Sequence, residues 1–480
     1  MLSNYLRIVF RDLRRNPGFY FINISGLAIG LAACLMISSY VRFHRSFDKQ
    51  PEAYADTYRV QYSRWSENED RVEFASASPT IGPAIKTNFP EVQAFARAYK
   101  TEGIFFKDEH YFEEQKVFRA ESGIFNLLGI KVIRGQAAHC LDEPTSVAIS
   151  ESTAKKYFGT NDPLGKTLSY NKQQNLKVTA VFKDLPPNMH MKADIFVALA
   201  AWMQRDPELF SNGWFNSGFY TYVKLAPGTD PEKINRGIEA FIERELGSDL
   251  AKYKMGMSFR LQPLRDIHLT SHYMHELEAN GDKSAVNLLG IVGWFILVIA
   301  WVNFFNLSTI ASLRKQREMA IRKVNGASRF QLLFQLLIWS AFINLAAVII
   351  AVGIFEIIYP SFSQLTGLPP SSQVIHSYWF YLTIALAFLA GTFSAGIYSV
   401  SGIYSAKVIQ LLKAGQARQK SGRFMKKGLL TLQFAIGIAI IAATMGVYLQ
   451  FRYITRQDTG FCLDNILVVK APVVGDSTKA

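Results

Sequence analysis

Five apolar runs, each long enough to cross a bilayer as a helix, limit what this chain can fold into. They cover roughly 19–41, 286–306, 331–358, 378–400 and 429–449. Backbone in lipid must satisfy its own hydrogen bonds, so these runs are expected as helices. The 480 residues then divide into blocks rather than one core. Residues 43–284, between the first two runs, are mixed, charged and strand-rich, whereas 360–377 is neutral and carries Pro369 and Pro370.

A formal charge of +14 could suggest nucleic acid, but its placement argues otherwise. Arg7, Arg11, Arg14 and Arg15 precede the first run, and Arg314, Lys315, Arg317, Arg322, Lys323 and Arg329 lie between the second and third. Lys407, Lys413, Arg418, Lys420, Arg423, Lys426 and Lys427 lie between the fourth and fifth, and 360–377 has neither Lys nor Arg. This is the positive-inside pattern. The basic residues face anionic lipid headgroups, which excludes a nucleic-acid partner. The amino terminus is then cytoplasmic and 43–284 lies outside the membrane.

Ahead of the first run, Leu2, Tyr5, Leu6, Val9, Phe10 and Leu13 repeat at helical spacing with arginines opposite, an interfacial helix ended by Asn16-Pro17-Gly18. Leu31-Ala32-Ala33-Cys34 fits a lipoprotein cleavage pattern, but the apolar run continues to Val41, which favours a retained anchor. With Cys34 inside that run, only Cys140 and Cys462 could pair, so no disulfide framework is expected.

Within 43–284, Thr57–Tyr62, Val117–Ala120, Ser146–Ile149, Leu176–Phe182 and Ser258–Leu261 read as strands. A helix opens at Asp230-Pro231, buries Ile234, Ile238, Phe241, Ile242 and Leu246, and is expected to stop at Gly247. The block is α+β. Gly165-Lys166-Thr167 resembles the end of a phosphate loop, but the glycine required five residues earlier is Thr160, so Asp162-Pro163-Leu164-Gly165 reads as a turn. His268, His272 and His275 would share a helix face as metal ligands, with Met189-His190-Met191 as a second soft cluster; a polar connector to the membrane is the plainer reading. No paired carboxylates, nucleophile elbow or HExxH motif supports catalysis. In the runs themselves, Asn303, Asn306, Asn344 and Glu356 are the polar exceptions, read as helix-packing residues rather than a conduit, with Glu356 near water.

The most informative segment is Ser312–Ser328. Leu313, Met319, Ala320 and Val324 form a narrow apolar strip under a charged surface, and Asn325-Gly326 supplies a left-handed exit. Ser328 and Gln331 fit a capping box that starts the next helix. The expectation is a short helix parallel to the membrane, stiffly joined to two spans, that turns a push by a cytoplasmic partner into tilting.

Arg317-Glu318-Met319-Ala320-Ile321-Arg322-Lys323-Val324-Asn325-Gly326-Ala327-Ser328 closely resembles the coupling segment of FtsX-like ABC transporter permeases, the MacB/LolC/LolE group. Arg14-Arg15-Asn16 and Gly26-Leu27-Ala28-Ile29-Gly30-Leu31 look like that family's first helix. Phe182-Lys183-Asp184-Leu185-Pro186 and Pro263-Leu264-Arg265-Asp266-Ile267-His268-Leu269 are similar to outer-domain segments of its large two-half members from Bacteroidetes.

The resemblance implies an α-helical transmembrane bundle with a large extracytoplasmic α+β domain of MacB periplasmic-core type. The expected blocks are an amphipathic helix at 1–17, spans at 18–42, 285–309, 330–359, 378–402 and 428–451, and an outer domain at 43–284. A coupling helix at 310–329, an outer loop at 360–377, a basic linker at 403–427 and the start of a second outer domain at 452–480 complete them. Residues 423–470 echo 15–60, as Tyr40-Val41-Arg42-Phe43 against Phe451-Arg452-Tyr453 and Tyr58-Arg59-Val60 against Ile466-Leu467-Val468-Val469. The expectation is a chain cut early in a second half, or a shortened member.

The same resemblance implies a non-catalytic permease without a cofactor in the inner (cytoplasmic) membrane, its large domain periplasmic. Its implied partner is a cytoplasmic ABC ATPase of MacB, LolD or FtsE type, docking on Arg314, Lys315, Arg317, Glu318, Ile321, Arg322, Lys323, Gly326, Ala327 and Ser328. A periplasmic adaptor or second permease half would be further partners. Competing readings are an FtsX-like regulator of cell-wall hydrolases and a membrane sensor. Macrolides, peptides, lipoproteins and signalling roles all fit this scaffold.

Overall fold

The computed structural model describes residues 7, 11–49, 56–324, 326–404 and 419–457, with side chains excepted at 305, 307–320, 323, 329, 394–404, 419–426 and 429. The chain divides into a membrane unit, residues 1–42 and 284–466, and an outer unit built from 43–283.

Among the described residues, the outer unit is built on one sheet of eleven strands: β1 Thr57–Ser66, β2 Glu69–Phe74, β3 Val92–Lys107, β4 His110–Ala120, β5 Val132–Gly135, β6 Ser146–Ser150, β7 Thr167–Tyr170, β8 Gln174–Phe182, β9 Ile195–Ala198, β10 Phe219–Leu225 and β11 Met255–Pro263. Their order is β11-β1-β10-β3-β4-β9-β6-β8-β5, with β2 against β1 and β7 against β3 and β8. β4 with β9 and β6 with β8 run parallel, and the other pairs are antiparallel. Every strand expected within 43–284 lies inside an observed one.

Alternation along these strands builds two cores. Phe118, Ala148, Ala180, Phe196 and Ala198 enter one, and their chain neighbours Val117, Val147, Val181, Ile195 and Val197 enter the other. Side chains along a strand point to opposite faces, so β6 and β9 are buried at every residue. Helix Gly123–Leu127 lies close on β3, where a Cβ on Gly123 would sit 3.3 Å from that of Ala96. A third core joins β1, β10 and β11 to helix Pro231–Lys252 through Ile234, Ile238, Ile242, Leu246 and Leu250.

That helix begins as expected, with the Asp230 side chain accepting from Glu232 N–H at 3.0 Å. It does not stop at Gly247 but runs to Lys252. Leu250 extends the apolar face one more turn, and that burial outweighs the roughly 1 kcal/mol cost of an interior glycine.

Among the described residues of the membrane unit, four stretches of helix are long and apolar enough to span: Pro17–Arg45, Lys283–Phe304, Phe330–Thr366 and Leu430–Arg456. Helix Tyr378–Tyr404 has 27 residues, apolar over Tyr378–Phe393, and occupies the place of the expected fourth span. The first three bury Leu27, Ala28, Leu31, Ala300, Phe304, Trp339, Ile343 and Ala347 together. Small residues set the first crossing: a Cβ on Gly30 would lie 2.5 Å from that of Ala300, and one on Gly293 2.8 Å from Ile37. Close backbone approach of this kind drives helix association in lipid, where burial alone gains nothing.

Polar residues knit the same unit. Trp339 Nε1 donates to Tyr20 Oη at 2.8 Å, and Tyr20 donates to Asp12 at 2.6 Å. Asn344 donates to the Ser340 carbonyl at 2.9 Å, Ser340 donates to the Thr392 carbonyl at 3.3 Å, and Asn303 lies beside Gly26. Asn303 and Asn344 thus pack between helices as expected, whereas the side-chain N and O of Asn306 are buried with no hydrogen-bond partner among the described residues.

Three boundaries differ from expectation, one of them at the last helix, Gln419–Arg456, which begins inside the segment expected as a basic linker at 403–427. The helix expected to end near 309 is a single element, Lys283–Val324, so the segment read as a separate short helix continues the second span. No Gly or Pro interrupts 305–324, and nothing local stops propagation. The third span's helix likewise continues through Pro360 to Thr366 and ends at Gly367 in a left-handed conformation, so part of the expected loop 360–377 is helical. The strand-like run Ile466–Val469, Cys462 and most of the basic linker lie outside the described residues.

Candidate functional site

Residues 325–328 separate a helix of 42 residues from one of 38, Arg329–Thr366. The turn is closed on both sides. Gly326 adopts φ +86° and Ala327 N–H bonds the Arg322 carbonyl at 3.0 Å, the six-to-one bond of a Schellman termination. Ser328 Oγ accepts from Gln331 N–H at 3.3 Å while Gln331 Oε1 accepts from Ser328 N–H at 2.9 Å, completing the expected capping box. Arg322 Nη1 then donates across the turn to Gln335 Oε1 at 3.3 Å. Leu332 and Leu336 pack beneath Ala327.

Around this stiff turn stand exposed apolar side chains: Ile321 (55%), Val324 (64%) and Phe330 (79%). Of the residues expected to couple to an ATPase, Ile321, Arg322, Gly326, Ala327 and Ser328 thus fall on the turn or the helix end before it. The side chains of Arg314, Lys315, Arg317, Glu318 and Lys323 lie outside the described residues. Val324 and Phe330 were not singled out as coupling residues, although their apolar character beside Gly326 was legible.

The histidines of the outer unit do not form the helical face that their spacing suggested. Helix Ile267–Thr270 has four residues and ends at Ser271, which throws His272 and His275 out of alignment. His268 is buried, its Nε2 2.8 Å from His44 Nδ1, and its ring stacks on Phe47 at 3.4 Å between centroids. His272 faces Asp282 at 3.8 Å, and His275 adopts φ +61° on the surface. Among the described residues no three His, Cys, Asp or Glu side chains are grouped to hold a metal. His190 bonds Asp48 and Tyr222, while Met189 and Met191 belong to the core. The Asp162–Lys166 segment is a turn, with Lys166 N–H on the Pro163 carbonyl and Gly165 at φ +76°. Buried Cys140 is a free thiol, pushed up to about 12 by burial.

Burial, with His44 adding to it, pushes His268 down to about 4. The folded chain therefore resists a proton that the unfolded chain binds near the ordinary histidine value. This contribution is harmless above about pH 6.5 and subtracts stability as pH falls towards 4. Thermal melts from pH 7.5 to 4.5 are expected to show a steeper loss for the native chain than for His268→Gln. Parallel curves would contradict it.

A family model of the MacB-like periplasmic core domain matches residues 20–241, and one of the FtsX-like permease C-terminal domain matches 290–408. The chain is 24% identical over 208 residues to the macrolide export ATP-binding/permease protein MacB of Chlorobium luteolum. That match covers 42% of this chain and only 28% of the relative's length. Among solved structures, a domain of a permease protein from Porphyromonas gingivalis is 24% identical, with 45% of this chain and 92% of that one covered at a TM-score of 0.40. The periplasmic region of MacB from Actinobacillus actinomycetemcomitans is 13% identical, with 42% and 88% covered at a TM-score of 0.31.

Proposed function

Because the chain belongs to the FtsX/MacB-type ABC transporter permeases, we propose that it is the membrane-embedded, non-catalytic subunit that receives force from a separate cytoplasmic ABC ATPase. The turn at 325–328 is where that force enters. The observation that supports this most is the doubly closed turn, capped by Gly326 on one side and Ser328 on the other. A push on it cannot be absorbed by a loose loop, so it tilts both attached helices. Ile321, Val324 and Phe330 offer an apolar seat, and the basic run from Arg314 to Lys323 supplies charge around it.

On this reading the cytoplasmic membrane holds the spans, and residues 43–283 work in the periplasm on a cargo that is already there. Export or extraction from the outer leaflet both fit. Exchanging the charges of Glu318 and Arg322 (Glu318→Arg with Arg322→Glu) keeps an i,i+4 pair, so the helix should survive. The variant should insert normally yet fail to co-purify with its ATPase. Undiminished ATPase binding would overturn the assignment.

A further inference from the structure

The apolar run of the first span ends at Val41 and that of the fourth begins at Tyr378. Arg42 and Trp379 therefore both stand where hydrocarbon gives way to headgroups. Within the membrane unit the two meet: the Arg42 guanidinium carbon lies 4.7 Å from the centre of the Trp379 ring. A cation over an indole face is held there by the ring's negative charge. Two residues earlier on the same helix, Tyr40 reaches Phe362 of helix Arg329–Thr366, with ring centroids 6.5 Å apart.

Arg42 is exposed and has no acidic partner. Among the described residues no carboxylate pairs with it and no oxygen accepts its N–H groups. An arginine that merely snorkelled would extend away into water. This one folds back onto Trp379, which opens an apolar strip. Leu386, Leu389 and Phe393 of helix Tyr378–Tyr404 follow Trp379 at i+7, i+10 and i+14, and all four are about half-exposed. At 3.6 residues per turn they share one face of the helix. From Trp379 to Leu389 the helix rises about 15 Å, the depth of one leaflet in a hydrocarbon core of about 30 Å.

We propose that Arg42 and Trp379 form a binding site for a membrane glycerophospholipid, its phosphate on Arg42 and an acyl chain along Leu386, Leu389 and Phe393. Charge complementarity selects this occupant. The planar fork of an arginine without a carboxylate matches a phosphate, and the strip below it matches hydrocarbon. Diacylglycerol lacks the first feature and free phosphate the second. The site stands independently of the force-entry reading.

The test uses the full chain in detergent, with native mass spectrometry reading the retention of phosphatidylglycerol, diacylglycerol and inorganic phosphate. The native chain should hold one phosphatidylglycerol about tenfold more tightly than diacylglycerol, the worth of one charge-assisted hydrogen bond. Arg42→Gln and, separately, Trp379→Leu should remove that preference. Arg42→Lys should keep only part of it, because lysine carries the charge without the fork. A general attraction of anionic lipid to a basic protein would leave the preference intact in all three variants, and that result overturns the site. Inorganic phosphate that displaces the lipid overturns it too. Melting temperatures in lipid-free detergent control for folding; should Arg42→Gln melt below the native chain, Trp379→Leu decides.

Discussion

Arg59→Ala is expected to destabilise the outer domain by about 3–5 kcal/mol, a large part of what holds a domain together. Its guanidinium is wholly buried, and removing it leaves Glu276 with an uncompensated charge beside Ser271. The loss should come from that stranded carboxylate rather than from the missing attraction. Arg59→Met combined with Glu276→Leu, which removes both charges, should recover most of the stability. Thermal unfolding of the full chain in detergent, followed by tryptophan fluorescence, separates the cases. Equal melting temperatures for the single and double variants would show that burial of the charge is not the cause.

Gly30→Ala should separate the first two spans at a cost of about 1–3 kcal/mol. The added methyl would sit 2.5 Å from Ala300 Cβ, and a methyl on a helix cannot swing aside. Gly30→Ala with Ala300→Gly moves the methyl to the facing helix and should recover the contact. Cross-linking of Ile37→Cys with Gly293→Cys, a pair on the same seam, measures it. The yield should fall in Gly30→Ala and return in the double variant. An unchanged yield in Gly30→Ala would refute this account of the seam.

Features made by neighbours in sequence were legible, and those made by distant partners were not. Asp230-Pro231 opens its helix, Ser328 and Gln331 close their capping box, and Asp162 to Lys166 turn, because a few consecutive residues supply every group involved. Helix ends set by packing were misjudged. Gly247 signals a stop, but Leu250 finds a core to enter three residues later. His268, His272 and His275 suggested a shared face, but the chain leaves the helix at Ser271 because Arg59, Glu276 and Asn280 hold it there.

The amino-acid sequence by itself determined that the chain carries helices fit to span a membrane and a large α+β block between the first two of them. Span length, charge placement and capping are local properties written in consecutive residues. Tertiary structure alone decided the strand order, the seam at Gly30 and Ala300, and the burial of Arg59 against Glu276. Those depend on partners as far apart as Arg59 and Glu276, and many pairings are chemically equivalent until a single packed arrangement buries their charges together.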